Sequence, residues 1–236
     1  TGVIGTGDTD PVVVDREQMP GARWFPNTRL NFAQNLLRRQ DTALALVFQA
    51  EDKVTRSLSF AELYAQVARL ADGLKQAGVV PGDRVCGFMP NMPETVAAML
   101  ASASVGAVWS SCSPDFGVQG VLDRFGQISP KVLFSADGYW YNGKTHDSLE
   151  KLRAITNGLP SLEHTLVVPL ISDKPDLSSN PGARLITDFE TDATQIDFEN
   201  LPFDHPLYIM YSSGTTGVPK CIVHGAGGSL LKHLVE

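Results

Sequence analysis

The strongest constraint on the fold is a regular alternation of short apolar runs with segments of helical periodicity. The apolar runs predict strands at residues 84–89, 107–111, 131–135 and 164–168. The intervening segments predict helices at about 94–105, 114–128 and 148–157. Strands that alternate with helices at this rhythm are typical of an α/β fold with an open, mostly parallel sheet and helices on both faces.

The clearest helix follows Ser59. Ser59 and Glu62 have the spacing of a capping box, in which each residue satisfies a backbone group of the other. Apolar residues then recur at helical spacing until Gly78, where the helix is expected to end. A shorter helix is predicted at 31–39, and an apolar run at 43–48 predicts a buried strand.

The length of 236 residues allows one large domain or two small ones. We expect an N-terminal arm at 1–40 and an α/β sheet subdomain at 41–205. Residues 206–236 would form a strand that feeds a glycine-rich loop and would begin a further subdomain. Both ends of the sequence are abrupt, so we expect the chain to be a piece of a longer protein.

The charge balance and the cysteines restrict the functional class. The chain has 19 Lys and Arg against 26 Asp and Glu, a formal charge of −7, which argues against a nucleic acid partner. Cys86, Cys112 and Cys221 are widely spaced and form no C-x-x-C pair, which predicts neither a disulfide framework nor a zinc site. The histidines also lack metal-ligand spacing, so no metal site is predicted. A reducing, cytoplasmic location fits this pattern best.

One stretch, at 95–114, carries no charged residue and has two interpretations. A membrane span is the first. The second is a helix and a strand separated at Gly106, and it is favoured because serines and alanines make the stretch only weakly apolar. We therefore predict no membrane span.

The chemistry is concentrated at 211–220, where the sequence reads YSSGTTGVPK after an apolar strand predicted at 207–211. Four residues carry hydroxyl groups: Ser212, Ser213, Thr215 and Thr216. Gly214 and Gly217 add flexible backbone positions, and Lys220 adds one cation. Hydroxyls, open backbone N–H groups and an ammonium together make a cradle for a polyphosphate. The preceding strand would hold this loop at the carboxyl edge of the sheet, where α/β folds bind ligands.

A loop of this composition has two other interpretations. A solvated Ser/Thr/Gly turn is common, but it seldom combines two glycines and a lysine at this spacing after a buried strand. A Walker-type phosphate loop needs four residues between its glycines and a Ser or Thr after the lysine. Here two residues separate Gly214 from Gly217, and Cys221 follows Lys220, so the Walker interpretation fails on spacing.

The loop sequence YSSGTTGVPK resembles the phosphate-binding signature of the adenylate-forming acyl-CoA synthetase superfamily. Other segments resemble the acetoacetyl-CoA synthetase branch of that superfamily, with acetyl-CoA synthetases as close relatives. These segments lie at 19–37 (MPGARWFPNTRLNFAQNLL), 107–117 (AVWSSCSPDFG), 135–147 (SADGYWYNGKTHD) and 221–231 (CIVHGAGGSLL). The resemblance therefore extends over nearly the whole chain.

The resemblance implies an enzyme that ligates an acid to CoA in two steps. The carboxylate attacks the α-phosphate of ATP to give an acyl-adenylate and pyrophosphate, and the thiol of CoA then displaces AMP. ATP, Mg²⁺ and CoA would act on a short-chain acid, with acetoacetate expected. The residues that would bind and orient the pyrophosphate are Ser212, Ser213, Gly214, Thr215, Thr216, Gly217 and Lys220, with Thr216 and Lys220 expected to be catalytic.

The resemblance also concerns residues outside the loop. It places His224 near the acyl or adenylate pocket as a third catalytic candidate, although a histidine hydrogen-bonded at a strand end explains it equally well. It places the phosphates of CoA near residues 138–144, where Lys144 is the only cation.

The family's adenine-binding and magnesium-binding motifs and its small C-terminal domain do not occur within these residues. We therefore expect residues 1–236 alone to have little or no synthetase activity. Two rival functions stay open. One is a ligase for acetate or propionate, and the other is a non-catalytic nucleotide-binding module.

Overall fold

The computed structural model describes residues 2–212 and 217–235 of the chain. Its strands are β1 (Gly5–Gly7), β2 (Val13–Val14), β3 (Arg23–Trp24), β4 (Thr28–Leu30), β5 (Leu44–Ala50), β6 (Val54–Ser59), β7 (Arg84–Phe88), β8 (Val108–Cys112), β9 (Val132–Ala136), β10 (Gly138–Tyr141), β11 (Lys144–Asp147), β12 (His164–Val168), β13 (Ala183–Leu185), β14 (Leu201–Pro202), β15 (Pro206–Ser212) and β16 (Lys220–Gly225). Its helices are α1 (Phe32–Leu36), α2 (Phe60–Gln76), α3 (Pro93–Ser104), α4 (Val118–Phe125), α5 (Leu149–Asn157) and α6 (Ala226–Val235), with a 3₁₀ turn at Ile186–Asp188.

The largest sheet has seven strands in the order β13-β12-β9-β7-β8-β15-β16. All its neighbouring pairs are parallel except β15 and β16, which are antiparallel. The predicted open, mostly parallel sheet is therefore confirmed. Because the strands from β12 to β15 are parallel, their carboxyl ends meet at one side of the sheet, called here the carboxyl edge.

Helices cover both faces of this sheet, as predicted. One face carries α2 and α3, whose buried side chains share a core with Val85, Trp109 and Phe134 of the strands. The opposite face carries α4 and α5, which share a second core with Phe88 and Leu133. Side chains alternate between the faces of a strand, so a nearly continuous apolar run is needed when both faces are buried.

The predicted capping box of α2 is present in both directions. The backbone N–H of Ser59 donates to the carboxylate of Glu62 at 2.8 Å, and the Glu62 N–H donates to the Ser59 hydroxyl at 3.2 Å. The bond from the Ser59 hydroxyl and that from its N–H lower the pKa of Glu62. The chain turns away at Gly78, whose φ of +73° favours glycine.

Three local predictions need correction. The strand predicted as buried is β5, which among the described strands pairs only with β6, in a separate ribbon, and Val47 is 66% exposed. The first helix is shorter than predicted, with Asn31 as its N-cap. The helix predicted from residue 114 begins at Val118, because the chain first bends at the carboxyl edge, where the N–H of Phe116 donates to the Ser113 carbonyl.

Residues 1–40, predicted as an N-terminal arm, are joined to the rest of the chain by strand pairing and by a buried amide. In a small sheet, β4 pairs with both β1 and β14. The side-chain nitrogen of Asn31 lies 3.0 Å from each of three carbonyl oxygens, those of Ala103, Ser104 and Glu199. These bonds tie the arm to the end of α3 and to the segment before β14.

The uncharged stretch at 95–114 is divided as predicted. It forms α3 and β8, and the chain reverses between them at Gly106, where φ is +78°. Among the described residues, no helix is long and apolar enough to cross a membrane.

Candidate functional site

The hairpin of β15 and β16 carries the predicted phosphate-binding loop. The two strands pair in antiparallel register, with Ser212 opposite Lys220 and Tyr211 opposite Cys221. The two ends of the loop are therefore held side by side at the carboxyl edge. Four of the predicted loop residues, Ser213, Gly214, Thr215 and Thr216, lie outside the described residues.

The described part of the loop is open to a ligand. Gly217 has a φ of +95°, which side chains with a Cβ rarely adopt, and no heavy atom lies within 4 Å of the position that a Cβ would take. Lys220 is exposed at the first position of β16, and Ser212 is half-buried at the last position of β15. Lys220 and Ser212 are thus register partners on neighbouring strands at the base of the loop.

A cleft of about 420 Å³ lies beside the hairpin. Its walls include residues from β8, from α4 and the turn before it, and from β15, among them Trp109, Ser111, Phe116, Arg124 and Tyr211. Trp109 is almost fully buried, so it serves the core of the sheet and the wall of the cleft at once. The cleft has the size and the place in the fold that a small-molecule site requires.

Tyr211 is held at the end of β15 by a buried serine. The hydroxyl oxygen of Ser110 lies 2.9 Å from the Ile209 carbonyl oxygen and 2.9 Å from the Tyr211 hydroxyl. A serine hydroxyl has one hydrogen, so Ser110 can donate to Ile209 while Tyr211 donates to Ser110. Burial raises the pKa of Tyr211, which therefore stays protonated and able to donate at neutral pH.

The end of α4 contacts both limbs of the loop. The guanidinium of Arg124 lies over the ring of Phe116 at 4.3 Å and near the ring of Tyr211 at 5.8 Å. The side-chain amide of Gln127 donates to the carbonyl oxygen of Pro219 at 2.8 Å. The sequence does not predict the contact of Arg124 with Tyr211 or that of Gln127 with Pro219, because these partners are more than 80 residues apart along the chain.

His224 lies at the far end of β16 from the loop. It is opposite Tyr208, and the centroids of the two rings are 5.0 Å apart. It lies four positions along the strand from Lys220, a distance of about 13 Å along one face of the sheet. His224 lines a different cleft of about 330 Å³, together with Trp24 and Phe203.

The segment at 138–144 forms a second hairpin, of β10 and β11, at the same edge of the sheet. Lys144 is exposed at the start of β11. At the tip of the hairpin, the N–H of Gly143 donates to the carboxylate of Glu51, with oxygens at 3.0 and 3.3 Å. In β10, burial and then the nearby carboxylate of Asp115 raise the pKa of Tyr139 to about 12.

The family profile described as AMP-binding enzyme matches residues 32–235, most of the chain. The chain belongs to the AMP-binding enzyme family. A solved member of this family, the acetoacetyl-CoA synthetase from Streptomyces lividans, superposes with a TM-score of 0.91 at 44% identity, covering 98% of this chain and 36% of that one. The large domain of the adenylate-forming fold, implied by the resemblance, is thus confirmed.

Curated relatives are also similar in sequence. The acetoacetyl-coenzyme A synthetase of Rhizobium meliloti (strain 1021) is 55% identical, over 99% of this chain and 36% of that protein. The acetoacetyl-CoA synthetase of Macaca fascicularis is 49% identical, over 90% and 33% respectively. The malonamoyl-CoA synthetase of Penicillium aethiopicum is 38% identical, over 100% and 35%. The chain spans about a third of the length of these relatives.

A metal site in the described part of the chain would need several ligating side chains close together. Among residues 2–212 and 217–235, no three His, Cys, Asp or Glu side chains are grouped so that they could hold a metal ion. The phosphates of ATP carry oxygen ligands of the type that Mg²⁺ prefers.

Proposed function

We propose that the protein containing this chain is an AMP-forming acid–CoA ligase that activates acetoacetate with ATP and passes the acyl group to CoA. One observation carries the proposal: the β15–β16 hairpin holds Lys220 opposite Ser212 at the carboxyl edge, on either side of a glycine- and hydroxyl-rich loop. The identity with acetoacetyl-CoA synthetases over most of the chain supports the choice of reaction.

The loop's proposed task is to bind the leaving pyrophosphate. When a carboxylate attacks the α-phosphate, the bond to the bridging oxygen breaks and negative charge accumulates on the β- and γ-phosphates. An ammonium about 4 Å from a phosphate oxygen attracts it by roughly 4 kcal/mol at an effective dielectric constant of 20. Lys220 would supply that attraction, and Ser212 and Gly217 would bound the loop at either end.

The same proposal assigns roles to loop residues outside the described part. The hydroxyls of Ser213, Thr215 and Thr216 and the backbone N–H of Gly214 would donate hydrogen bonds to phosphate oxygens. Thr216 would act together with Lys220 in the transition state. A preorganised donor of this kind typically contributes about 3 kcal/mol to transition-state stabilisation.

Two further residues outside the loop are assigned roles in the same site. His224 would line the acyl or adenylate side of the site, and its exposed cleft beside Trp24 supports access by a ligand. Lys144 would attract the phosphates of CoA as a point charge, supported by its exposed place on the hairpin at the carboxyl edge. Mg²⁺ bound with ATP would neutralise phosphate charge, and no residue described here is assigned to it.

A cytoplasmic location is part of this proposal. Cys86, Cys112 and Cys221 are all free thiols, and free cysteines are typical of reducing compartments.

Exchange of labelled pyrophosphate into ATP by the full-length protein tests the proposal. With acetoacetate present, we expect robust exchange, and Lys220→Ala should lower the rate about a hundredfold, the usual effect of losing one preorganised donor. Lys53→Ala is the matched control, because Lys53 is an exposed lysine on the turn between β5 and β6. Unchanged exchange by Lys220→Ala would contradict the proposal.

The acid and the rival functions are separated in the same assay. Rates with acetate, propionate and acetoacetate should rank acetoacetate first, and a preference for acetate or propionate would favour the acetyl- or propionyl-CoA synthetase alternative. ATP binding without exchange for any acid would favour a non-catalytic nucleotide-binding module.

A further inference from the structure

The end of α4 lies against the hairpin that carries the phosphate loop. Arg124 is in the last turn of α4, and Gln127 follows the helix by two residues. Residues three apart on a helical turn lie on the same side, so both side chains reach the hairpin together. Arg124 contacts the limb before the loop, at Tyr211, and Gln127 contacts the limb after it, at Pro219.

The hydrogen bonds of Gln127 fix the orientation of its amide. Its nitrogen donates to two carbonyl oxygens, those of Asp123 and Pro219. Its oxygen faces the thiol of Cys221, with 3.7 Å between oxygen and sulfur. Carbonyl oxygens only accept, so the reversed amide would lose both bonds to the carbonyl oxygens of Asp123 and Pro219.

The position of Pro219 gives these contacts a consequence for the loop. Pro219 immediately precedes Lys220, and proline has no N–H with which to pair in the hairpin. Its carbonyl is therefore its only backbone hydrogen-bonding group, and Gln127 holds that group. The bond sets the direction in which the chain enters β16, and with it the starting point of the Lys220 side chain.

We propose that Arg124 and Gln127 are positioning residues that hold the two limbs of the phosphate loop in the geometry for ATP. The inference rests on the proposed function, because it assigns a role in the same nucleotide site. Neither side chain needs to touch ATP: Arg124 acts through the ring of Tyr211, and Gln127 acts through Pro219.

The test uses the full-length protein and Gln127→Met, which keeps the length of the side chain and removes its hydrogen bonds. The loss of one neutral hydrogen bond typically lowers an equilibrium or rate constant by about threefold to tenfold. We expect kcat/KM for ATP in pyrophosphate exchange to fall by that factor, with the KM for acetoacetate and the melting temperature unchanged. The fall in kcat/KM for ATP should be larger in Gln127→Glu, because a carboxylate at neutral pH cannot donate to the carbonyl oxygen of Pro219.

Gln119→Met is the matched control. Gln119 also lies on α4 and also bonds to Asp123, through the Asp123 carboxylate, but no contact to the loop is described for it. If both glutamine variants behave alike while Lys220→Ala loses exchange, the positioning role is refuted and the proposed function stands. If Lys220→Ala also keeps full exchange, both fail. An equal change in the KM of both substrates with a lower melting temperature would also overturn the inference, since it indicates general destabilisation.

Discussion

Asp137 should be essential for the order of the carboxyl edge. It follows β9 directly and is 1% exposed. One of its carboxylate oxygens accepts the backbone N–H groups of Leu170 at 2.8 Å and Ile171 at 3.1 Å, and the other accepts that of Ser172 at 3.0 Å. These bonds hold the segment after β12 against the base of the β10–β11 hairpin.

The expected loss in the free energy of unfolding follows from the number of hydrogen bonds to Asp137. Asp137→Ala removes three hydrogen bonds to a charged group, each worth about 1.5–3 kcal/mol, and leaves the donors without their partner. The segment can relieve part of this cost by moving into water, so we expect a loss of about 4 kcal/mol. In Asp137→Asn the retained oxygen can still accept from Leu170 and Ile171, whereas the new NH₂ faces the N–H of Ser172. The free energy of unfolding of Asp137→Asn should therefore fall by about 2 kcal/mol.

Urea unfolding and amide hydrogen exchange measure the two parts of this prediction. The unfolding midpoint should fall in the order wild type, Asp137→Asn, Asp137→Ala, and peptides covering residues 168–174 should exchange faster in the same order. Asp176→Asn is the control, because Asp176 accepts the N–H of Ser178 from an exposed position in the following loop. Equal midpoints and equal exchange in Asp137→Ala and Asp176→Asn would refute the reasoning.

Two further substitutions, one alkylation reaction and one pH dependence test other parts of the chain. Gly87→Ala would place a Cβ 2.7 Å from the ring of Trp109, so we expect a loss of about 1–3 kcal/mol in urea unfolding and a shift in tryptophan emission. Burial raises the pKa of Cys112 from 9.0 to about 12, so iodoacetamide at pH 8 should modify the half-buried Cys221 first. Since the unfolded Cys112 thiol loses its proton at lower pH than the folded one, its contribution to stability should fall as pH rises above about 9. Asn31→Ala removes the two amide N–H groups that three carbonyl oxygens share and should lower the free energy of unfolding by about 3 kcal/mol, measured by the urea midpoint.

Agreement between sequence and structure is best where the signal is local. The capping box at Ser59 and Glu62, the strand at His164–Val168 and the reversal at Gly106 each depend on residues within a few positions of one another. The run now assigned to β5 shows the limit of that signal. Its apolar residues predict a strand correctly, but its partner decides burial, and β6 leaves one side of the ribbon open to water.

By itself, the sequence determined the α/β class, the place of the glycine-rich loop after a strand and the family to which the chain belongs. Hydrophobic periodicity, cap chemistry and a contiguous motif are all properties of short segments, which is why they can be read along the chain. Only the tertiary structure decided that Gln127 meets Pro219, across 92 positions, and that Asp137 meets the segment after β12. Such contacts depend on how strands are ordered in the sheet, and that order results from packing of the whole domain rather than from any one segment.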